Sequence, residues 1–250
     1  MTALPFDAAT IATAAAIIFV AYTVFGLTGF GSSITAAPFL VLLFPLRFMV
    51  PMIVVLDLVS ASTMTLRNHG HVAWRELGRL APWIAVGMIT GVTLLVHAPE
   101  RPLLALLALF VLGYLARAVL VRRKPAPIAP RWAPVFGASG GVFTALFGTG
   151  GPIYAIFLTS RIADKSALRA TNGMLILATA LGRIGLFAGA ALYAQPGLVP
   201  LAALLIPVAL AGLWLGGRLH VRLPAERVVQ AIQLVLLIGA LNLLRRVVLG

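Results

Sequence analysis

The chain has 250 residues, of which 61% are hydrophobic and only 10% are charged, and its mean hydropathy is +1.06. Soluble domains carry about a quarter charged residues, so this composition excludes an ordinary soluble globular protein. The net charge of +13 comes mainly from arginines in short loops between apolar runs, which is typical of membrane topology signals and argues against nucleic-acid binding. The chain has no cysteine, which excludes disulfides, thiolate metal sites and a cysteine nucleophile.

Seven apolar runs of about twenty residues each predict membrane-spanning helices. In chain order they cover 8–27, 48–66, 80–96, 103–121, 170–190, 198–217 and 228–244. The first run has no basic residue before it, so it lacks the form of a cleaved secretory signal and is expected to remain in the mature protein. The sequence therefore predicts an all-α integral membrane protein with several spans.

The two halves of the chain share a pattern of glycine and proline, which indicates an internal repeat. Gly29 and Gly31 match Gly148 and Gly150 at an offset of 119 residues. At offsets of 125 and 126, a second set in the first half (Pro82, Gly87, Gly91, Glu100, Arg101, Gly113) matches Pro207, Gly212, Gly216, Glu226, Arg227 and Gly239. We therefore predict two membrane repeats, 1–121 and 132–250, joined by a basic, proline-rich loop over 122–131.

Each repeat has a glycine cluster inside an apolar run, at 25–33 and at 145–152. A break in a helix within the bilayer must be buried in protein or line a cavity. Two topologies are compatible with such breaks. Either each half has four simple spans, or each cluster is the tip of a hairpin with arms of about 8–27 and 33–45, and of 132–147 and 152–160. Whether 8–27 crosses the membrane fully is open at this point.

The positions of the basic residues favour the hairpin topology. With four simple spans in each half, the basic residues of loops and tail divide 9 to 8 between the two sides. With hairpins, the loops 67–79, 122–131, 161–169 and 218–227 share one side and hold thirteen basic residues, against four on the other. The basic side is expected to be cytoplasmic. The two repeats are then inverted, each with a glycine-broken hairpin and about three transmembrane helices.

The residues after each break predict an anion site. Serine and threonine suit helix N-caps, proline suits the first helical position, and the free N–H groups there favour anions. Paired breaks of this kind mark the central site of many transporters. The alternative is that the glycines only permit close helix packing, which we prefer for Gly26 and Gly113. The expected substrate-binding residues are Gly29, Gly31, Ser32, Ser33, Gly148, Thr149, Gly150, Gly151 and Pro152.

Two charged residues, Asp57 and Arg183, lie well inside predicted spans, where a charge is costly and commonly functional. At the offset of 119, the helical stripe that holds Asp57 and Ser60 matches the stripe that holds Asn172, Thr179 and Arg183. We expect Arg183 to attract the anion, with Asn172, Thr179 and Ser60 as hydrogen-bond donors. Asp57 is expected to pair with Arg183 or to carry a coupling proton. A purely structural ion pair is the alternative, and Asn172 could equally cap or kink its helix end.

The motifs Gly-Phe-Gly-Ser-Ser at 29–33 and Gly-Thr-Gly-Gly-Pro at 148–152 resemble those of the sulfite exporter TauE/SafE family. The pattern of two short helical repeats is similar as well, over essentially the whole chain. The first motif departs from the family's usual run of glycines at Ser32 and Ser33. The resemblance implies a transporter of the bacterial inner membrane that exports, or sometimes takes up, small sulfur-containing anions such as sulfite, sulfoacetate or related organosulfonates.

No Gly-x-x-x-x-Gly-Lys-Ser/Thr motif is present, so transport is expected to be secondary, by alternating access, with proton coupling left open. We predict no cofactor and no metal site, and we interpret His69 and His71 as residues of a solvated loop. The expected partners are a small anion and the lipid bilayer, with a homodimer left open. The alternatives are a noncatalytic membrane scaffold subunit, a transporter of a non-sulfur organic anion, and a membrane enzyme, which the few scattered acidic residues disfavour.

Overall fold

The computed structural model describes residues 5–65, 71–120, 127–219 and 225–249. These residues form ten α-helices and no strand, which confirms the all-α prediction, and each of the seven predicted spans coincides with a helix to within six residues at either end. The helices are α1 (Ala8–Thr28), α2 (Ser32–Leu40), α3 (Leu46–Thr65), α4 (Trp74–His97), α5 (Glu100–Leu120), α6 (Ala133–Phe147), α7 (Gly151–Thr159), α8 (Lys165–Gly189), α9 (Leu198–Leu219) and α10 (Ala225–Leu249).

The surface of the helices matches an apolar solvent. Among the described residues, α1, α3, α4, α8 and α9 are each long and apolar enough to cross a bilayer. Large apolar side chains on these helices point outward, and Ile89, Leu181 and Trp214 are 57%, 56% and 58% exposed. Apolar surface on this scale is unfavourable in water and suits contact with lipid.

In each half, the first two helices are separated by the predicted glycine break. Gly29 ends α1 and Gly148 ends α6, both with a left-handed backbone (φ 80° and 74°) that glycine adopts far more easily than other residues. The following helices, α2 and α7, have nine residues each, a length of about 14 Å that cannot cross a bilayer.

The arm predicted over 33–45 is shorter than expected, because α2 ends at Leu40 and the chain turns before α3 begins. Phe44 precedes Pro45, and a residue before proline is disfavoured in the helical conformation. The second predicted arm, 152–160, agrees with α7 to within one residue.

The two ends of each hairpin lie together. Phe6, before α1, packs edge-on against Phe44 and Phe48, which follow α2, with ring centroids 5.1 and 5.3 Å apart. In the second half, the N–H of Ile128, before α6, donates to Oγ of Ser160, after α7, at 3.3 Å. The two ends of each hairpin therefore lie at one end of the bundle, although the 21 residues of α1 are long enough to cross a bilayer.

The two hairpins open at opposite ends of α4. Arg47, just after the first hairpin, donates to the carbonyl oxygens of Leu95 (3.0 Å) and Ala98 (3.3 Å) at the C-terminal end of α4. Arg161, just after the second hairpin, forms an ion pair with Glu76 in the first turn of α4. One hairpin thus opens beside the end of α4 and the other beside its start.

The first helix of each half packs on a helix of the other half: α1 packs on α9, and α6 packs on α4. We call these two contacts the exchanged pairs. At both contacts, glycines on the receiving helix let the two backbones touch, and a β-carbon at any of them would overlap the facing backbone. The glycines are Gly87 and Gly91 on α4, against Ala138 and Val142 of α6, and Gly212 and Gly216 on α9, against Phe19 and Thr23 of α1.

Gly26 and Gly113, both interpreted as packing glycines, differ in the structure. Gly26 lies against the backbone of α9 at Leu213, as close packing requires. A β-carbon at Gly113 would meet no atom of the described residues within 4 Å, so close packing is wrong for that position.

Helices α3 and α8 run antiparallel through the centre of the bundle. At one end, the side chain of Gln195, after α8, donates to the carbonyl oxygen of Arg47 at 2.7 Å. At the other end, Thr171 near the start of α8 accepts the N–H of Ala73, which follows α3, at 2.9 Å. This pairing places the middle of α3 beside the middle of α8.

Candidate functional site

Asp57 of α3 and Arg183 of α8 form a buried ion pair. Nη2 of Arg183 lies 3.1 Å from Oδ2 of Asp57, and each residue is only 2% exposed. Burial of a charge costs several kcal/mol per ion even after relaxation, so such a pair persists only with good geometry and further hydrogen bonds. The surroundings of the two groups therefore decide what the pair can do.

The carboxylate of Asp57 is fully surrounded by donors. Besides Arg183, it accepts hydrogen bonds from the hydroxyls of Tyr22 (2.9 Å), Ser32 (2.9 Å) and Ser33 (3.3 Å). Ser32 and Ser33 are the first two residues of α2, so the carboxylate lies at the positive end of that helix. We expected this helix end to bind a substrate anion, and in the structure the Asp57 carboxylate lies there instead.

The guanidinium of Arg183 is only partly satisfied. Its Nη1 donates to the carbonyl oxygen of Thr144 at 3.3 Å, while its Nε has no hydrogen-bond partner among the described residues. The hydroxyl of Thr149 is also buried and lacks a partner within the same part of the chain. Buried polar groups are nearly always paired, so these two groups indicate a place for an acceptor atom.

A small cavity of about 30 Å³ lies beside these groups. Its lining includes the ion pair and the ends of both hairpins. Four apolar side chains also line it: Phe30, Ile34, Leu175 and Ile176. The predicted site residues that line the cavity are Gly31, Ser32, Asp57, Gly148, Thr149, Gly151, Pro152, Thr179 and Arg183.

The tips of the two hairpins touch at the cavity. A methyl group added to Gly148 would overlap Oγ of Ser33 and lie 3.3 Å from Nη1 of Arg183. Gly150 has φ −69°, which any residue adopts, but a β-carbon there would collide with Thr144. Glycine is therefore required at 148 for both conformation and space, and at 150 for space alone.

Five predicted residues do not line the cavity: Gly29, Ser33, Ser60, Gly150 and Asn172. Ser60 is fully buried and its hydroxyl has no partner among the described residues, while Asn172 is only half-buried. Thr179 does line the cavity, but its hydroxyl donates to the carbonyl oxygen of Ile176 at 3.0 Å. Of the three expected donors, none has a free hydroxyl or amide placed on the cavity wall.

Three residues of the site were not predicted. Tyr22 bonds the Asp57 carboxylate, Thr144 accepts from Arg183, and the hydroxyls of Thr144 and Tyr154 lie 2.9 Å apart. Tyr22 and Thr144 precede the left-handed glycines of their hairpins by seven and four residues, which is the spacing of one helical face. The helical face that leads into each break therefore marks both residues, whereas the predicted site rested on residues that follow the break.

Away from the cavity, the described residues hold no group of three His, Asp or Glu side chains that could bind a metal ion. His71 is exposed, and His69 lies outside the described residues. Arg161 lies beyond the end of α7, and its hydrogen bond with Glu76 raises the pKa of its guanidinium. This pair ties the start of α4 to the opening of the second hairpin.

Comparison with known proteins agrees with this architecture. Residues 14–243 match the sulfite exporter TauE/SafE family, a range that takes in both hairpins and both members of the ion pair. The chain is 26% identical over 193 residues to the probable inner membrane transporter protein TsaS of Comamonas testosteroni, a match that covers 77% of this chain and 81% of that protein. No solved structure matches the chain. The protein therefore belongs to the sulfite exporter TauE/SafE family of membrane transporters.

Proposed function

We propose that this protein is a secondary transporter of the inner membrane that exports small sulfur-containing anions, with Arg183 as the residue that binds the anion. The observation that carries the proposal is the buried Nε of Arg183, which has no partner among the described residues and belongs to a side chain that lines a small cavity. The relative from Comamonas testosteroni supports the assignment to the inner membrane.

The free groups of the site favour an anion over a cation or a neutral solute. Asp57, the acidic residue on the cavity wall, already accepts four donors. The unpartnered groups are the Nε–H of Arg183 and the hydroxyl of Thr149, both of which can donate. The first turn of α7 adds a partial positive charge, because Gly151 and Pro152 line the cavity. An oxyanion supplies the acceptor atoms that this set lacks.

The shape of the site favours a small oxyanion with at most a short apolar part. The cavity of about 30 Å³ restricts the ligand to a few heavy atoms unless the hairpins separate. Its apolar lining residues suit the single methylene group of an organosulfonate such as sulfoacetate, and sulfite is smaller still. The family description supports a sulfur oxyanion, while a carboxylate of similar size would use the same donors and remains the alternative substrate.

The contacts between the halves support inverted repeats and alternating access. The hairpins open at opposite ends of α4, and the exchanged pairs α1–α9 and α6–α4 use glycines at equivalent positions of the two halves. We therefore propose repeats at 1–121 and 132–250, with the end of α4 that holds Glu76 on the basic, cytoplasmic side. Of the proposed linker 122–131, residues 122–126 lie outside the described residues.

Ligand-induced thermal stabilisation of the purified protein tests the site. The panel holds sulfite, thiosulfate, sulfoacetate, taurine, sulfate and two carboxylates, each applied to wild type, Arg183→Gln and Arg161→Gln. Arg161 is the matched control, since it is an ion-paired arginine that does not line the cavity. A ligand at a hundred times its Kd stabilises the folded state by about 2.7 kcal/mol.

We expect a shift with at least one sulfur anion that Arg183→Gln loses and Arg161→Gln keeps. A shift that survives in Arg183→Gln would contradict the proposed site, and a shift with the carboxylates alone would move the substrate to non-sulfur organic anions. Uptake of the labelled anion into proteoliposomes then separates a transporter from a membrane scaffold subunit, which would show no flux. Native mass spectrometry of the same sample tests whether the protein forms a homodimer.

A further inference from the structure

We infer that the carboxylate of Asp57 is an internal substitute for the substrate anion. The carboxylate occupies the hydrogen-bond donors that would bind the substrate, and it releases them when it takes up a proton. The inference rests on the proposed function and deepens it, because it states how binding of the anion is coupled to a proton. It predicts that one proton moves with each substrate anion, because Asp57 can take up a single proton.

The coordination of the carboxylate is that of a bound oxyanion. It lies at the N-terminal end of α2, where Ser32 and Ser33 donate to it at 2.9 and 3.3 Å, and Arg183 binds it at 3.1 Å. Helix N-termini and arginine are the usual ligands of anions in proteins. The N-terminal end of α7 is the corresponding helix end in the second half. Its first two residues, Gly151 and Pro152, line the cavity.

The charge balance of the site allows one anion at a time. Asp57 and Arg183 neutralise each other, and a substrate anion beside them would leave an uncompensated negative charge in a site that is only 2% exposed at both residues. An unpaired buried charge is strongly disfavoured. The other groups that α1, α2, α6, α7 and the turn after α8 bring near the pair are uncharged: Tyr22, Ser32, Ser33, Thr144, Tyr154 and Tyr193.

Protonation of Asp57 resolves this conflict. A proton from the adjoining aqueous side adds to one carboxylate oxygen, and the resulting neutral acid no longer competes as an anion for Arg183. The guanidinium, with the hydroxyls of Ser32 and Ser33, is then available to the substrate oxyanion, and with a monovalent anion the site is again neutral. When the anion leaves, the proton returns to water and the carboxylate resumes its place, so no covalent bond of the substrate is altered.

The experiment measures binding of methanesulfonate and thiosulfate between about pH 5 and about pH 8, a range in which both probes stay ionised. Wild type, Asp57→Asn and Arg183→Gln are compared by ligand-induced thermal stabilisation. For wild type we expect the apparent affinity to fall by about tenfold for each pH unit over the range in which Asp57 is ionised. For Asp57→Asn we expect an affinity that is independent of pH and at least equal to that of wild type at the lowest pH.

Proteoliposomes give a second readout, which remains available if Asp57→Asn does not fold. With wild type, a pH-sensitive dye should report one proton moved with each methanesulfonate, and a pH gradient should drive accumulation. Asp57→Asn should exchange labelled methanesulfonate across the membrane without accumulation in response to the gradient. Methanesulfonate flux in wild type without proton movement would overturn the inference.

Three further outcomes would also overturn it: wild-type binding that does not change with pH, loss of binding in a folded Asp57→Asn, and failure of both probes to bind wild type at the lowest pH and Asp57→Asn. In the first two cases, binding that still depends on Arg183 would leave the proposed transport function standing. Binding that is indifferent to Arg183→Gln would instead contradict the proposed function itself, so the two failures are distinguishable.

Discussion

Replacement of Asp57 by asparagine leaves the guanidinium of Arg183 charged and buried without its counter-ion. The hydroxyls of Tyr22, Ser32 and Ser33 all donate to the Asp57 carboxylate. Asparagine has an NH₂ group in place of one carboxylate oxygen, so at least one of these hydroxyls loses its acceptor. Arg183→Gln has a milder local effect, because the Asp57 carboxylate keeps those three hydroxyl donors. The double variant removes both charges together.

The magnitudes follow from the burial of the pair. Loss of one partner of a buried pair costs about 3–5 kcal/mol, since the remaining charge is left uncompensated. The double variant leaves no charge behind, so we expect it to be destabilised by far less than the sum of the single variants, with a coupling free energy of about 2–4 kcal/mol. Glu76 and Arg161 form the control pair, and their position at the end of α4 with side chains 12% and 17% exposed predicts a smaller coupling of about 1 kcal/mol.

The assay is the free energy of unfolding by denaturant in detergent, at low salt and without added oxyanions, for wild type and the three variants of each pair. Low salt matters because an anion that binds Arg183 would restore part of the stability of Asp57→Asn. Additive effects of Asp57→Asn and Arg183→Gln would refute the reasoning, because they would mean that neither charge depends on the other.

Three further predictions concern the backbone and the first helix end. Gly148→Ala should lower the free energy of unfolding by about 1–2 kcal/mol for its φ of 74° alone, and its overlap with Ser33 should also abolish anion-induced stabilisation; unchanged stabilisation would contradict the role of the hairpin tip. Gly216→Leu should prevent packing of α1 on α9 and yield aggregated protein in size-exclusion chromatography. Gly217→Leu is the control and should elute as wild type does, because a β-carbon at this position lies within 4 Å of no atom of the described residues. Asp7 caps α1, and its hydrogen bonds from Thr10 lower its pKa, so its contribution to stability is complete above its unfolded pKa and is lost as the pH falls through the folded pKa. Thermal melts of wild type should show this loss, and Asp7→Asn, which still caps, should lack it.

The spans could be predicted from the sequence because run length and hydropathy suffice in a bilayer, where each helix satisfies its own backbone. The repeat offset of 119 was also useful, since it located Gly29 and Gly148, the left-handed glycines that end α1 and α6. The length of α2 was not predictable from hydropathy, because 41–44 are apolar like the helix before them. Only the local effect of Pro45 on the residue before it marks the end of this arm.

The ion pair between Asp57 and Arg183 could be predicted, since two opposite charges within apolar spans have few other partners available to them. The group that binds at the start of α2 could not be predicted from the sequence. Ser32 and Ser33 indicate an anion at the start of α2, but a sequence does not distinguish a substrate anion from the carboxylate of Asp57 two elements away. Tyr22 and Thr144 were missed because their roles depend on the side of the hairpin that faces α3 and α8, which only the packing determines.

The difference between the two hairpins is as informative as their similarity. Both present the positive end of a nine-residue helix to the centre of the protein, so a perfectly symmetric pair would attract two anions. At the offset of 119, Ser32 and Ser33 correspond to Gly151 and Pro152, and Asp57 corresponds to Ile176. The first half therefore holds an anion and the hydroxyls that bind it, whereas the second half has Gly151, Pro152 and Ile176 at the corresponding positions, beside the same guanidinium. If the Asp57 carboxylate and the substrate anion bind in alternation, this asymmetry is required, because both anions would bind the same cation, Arg183.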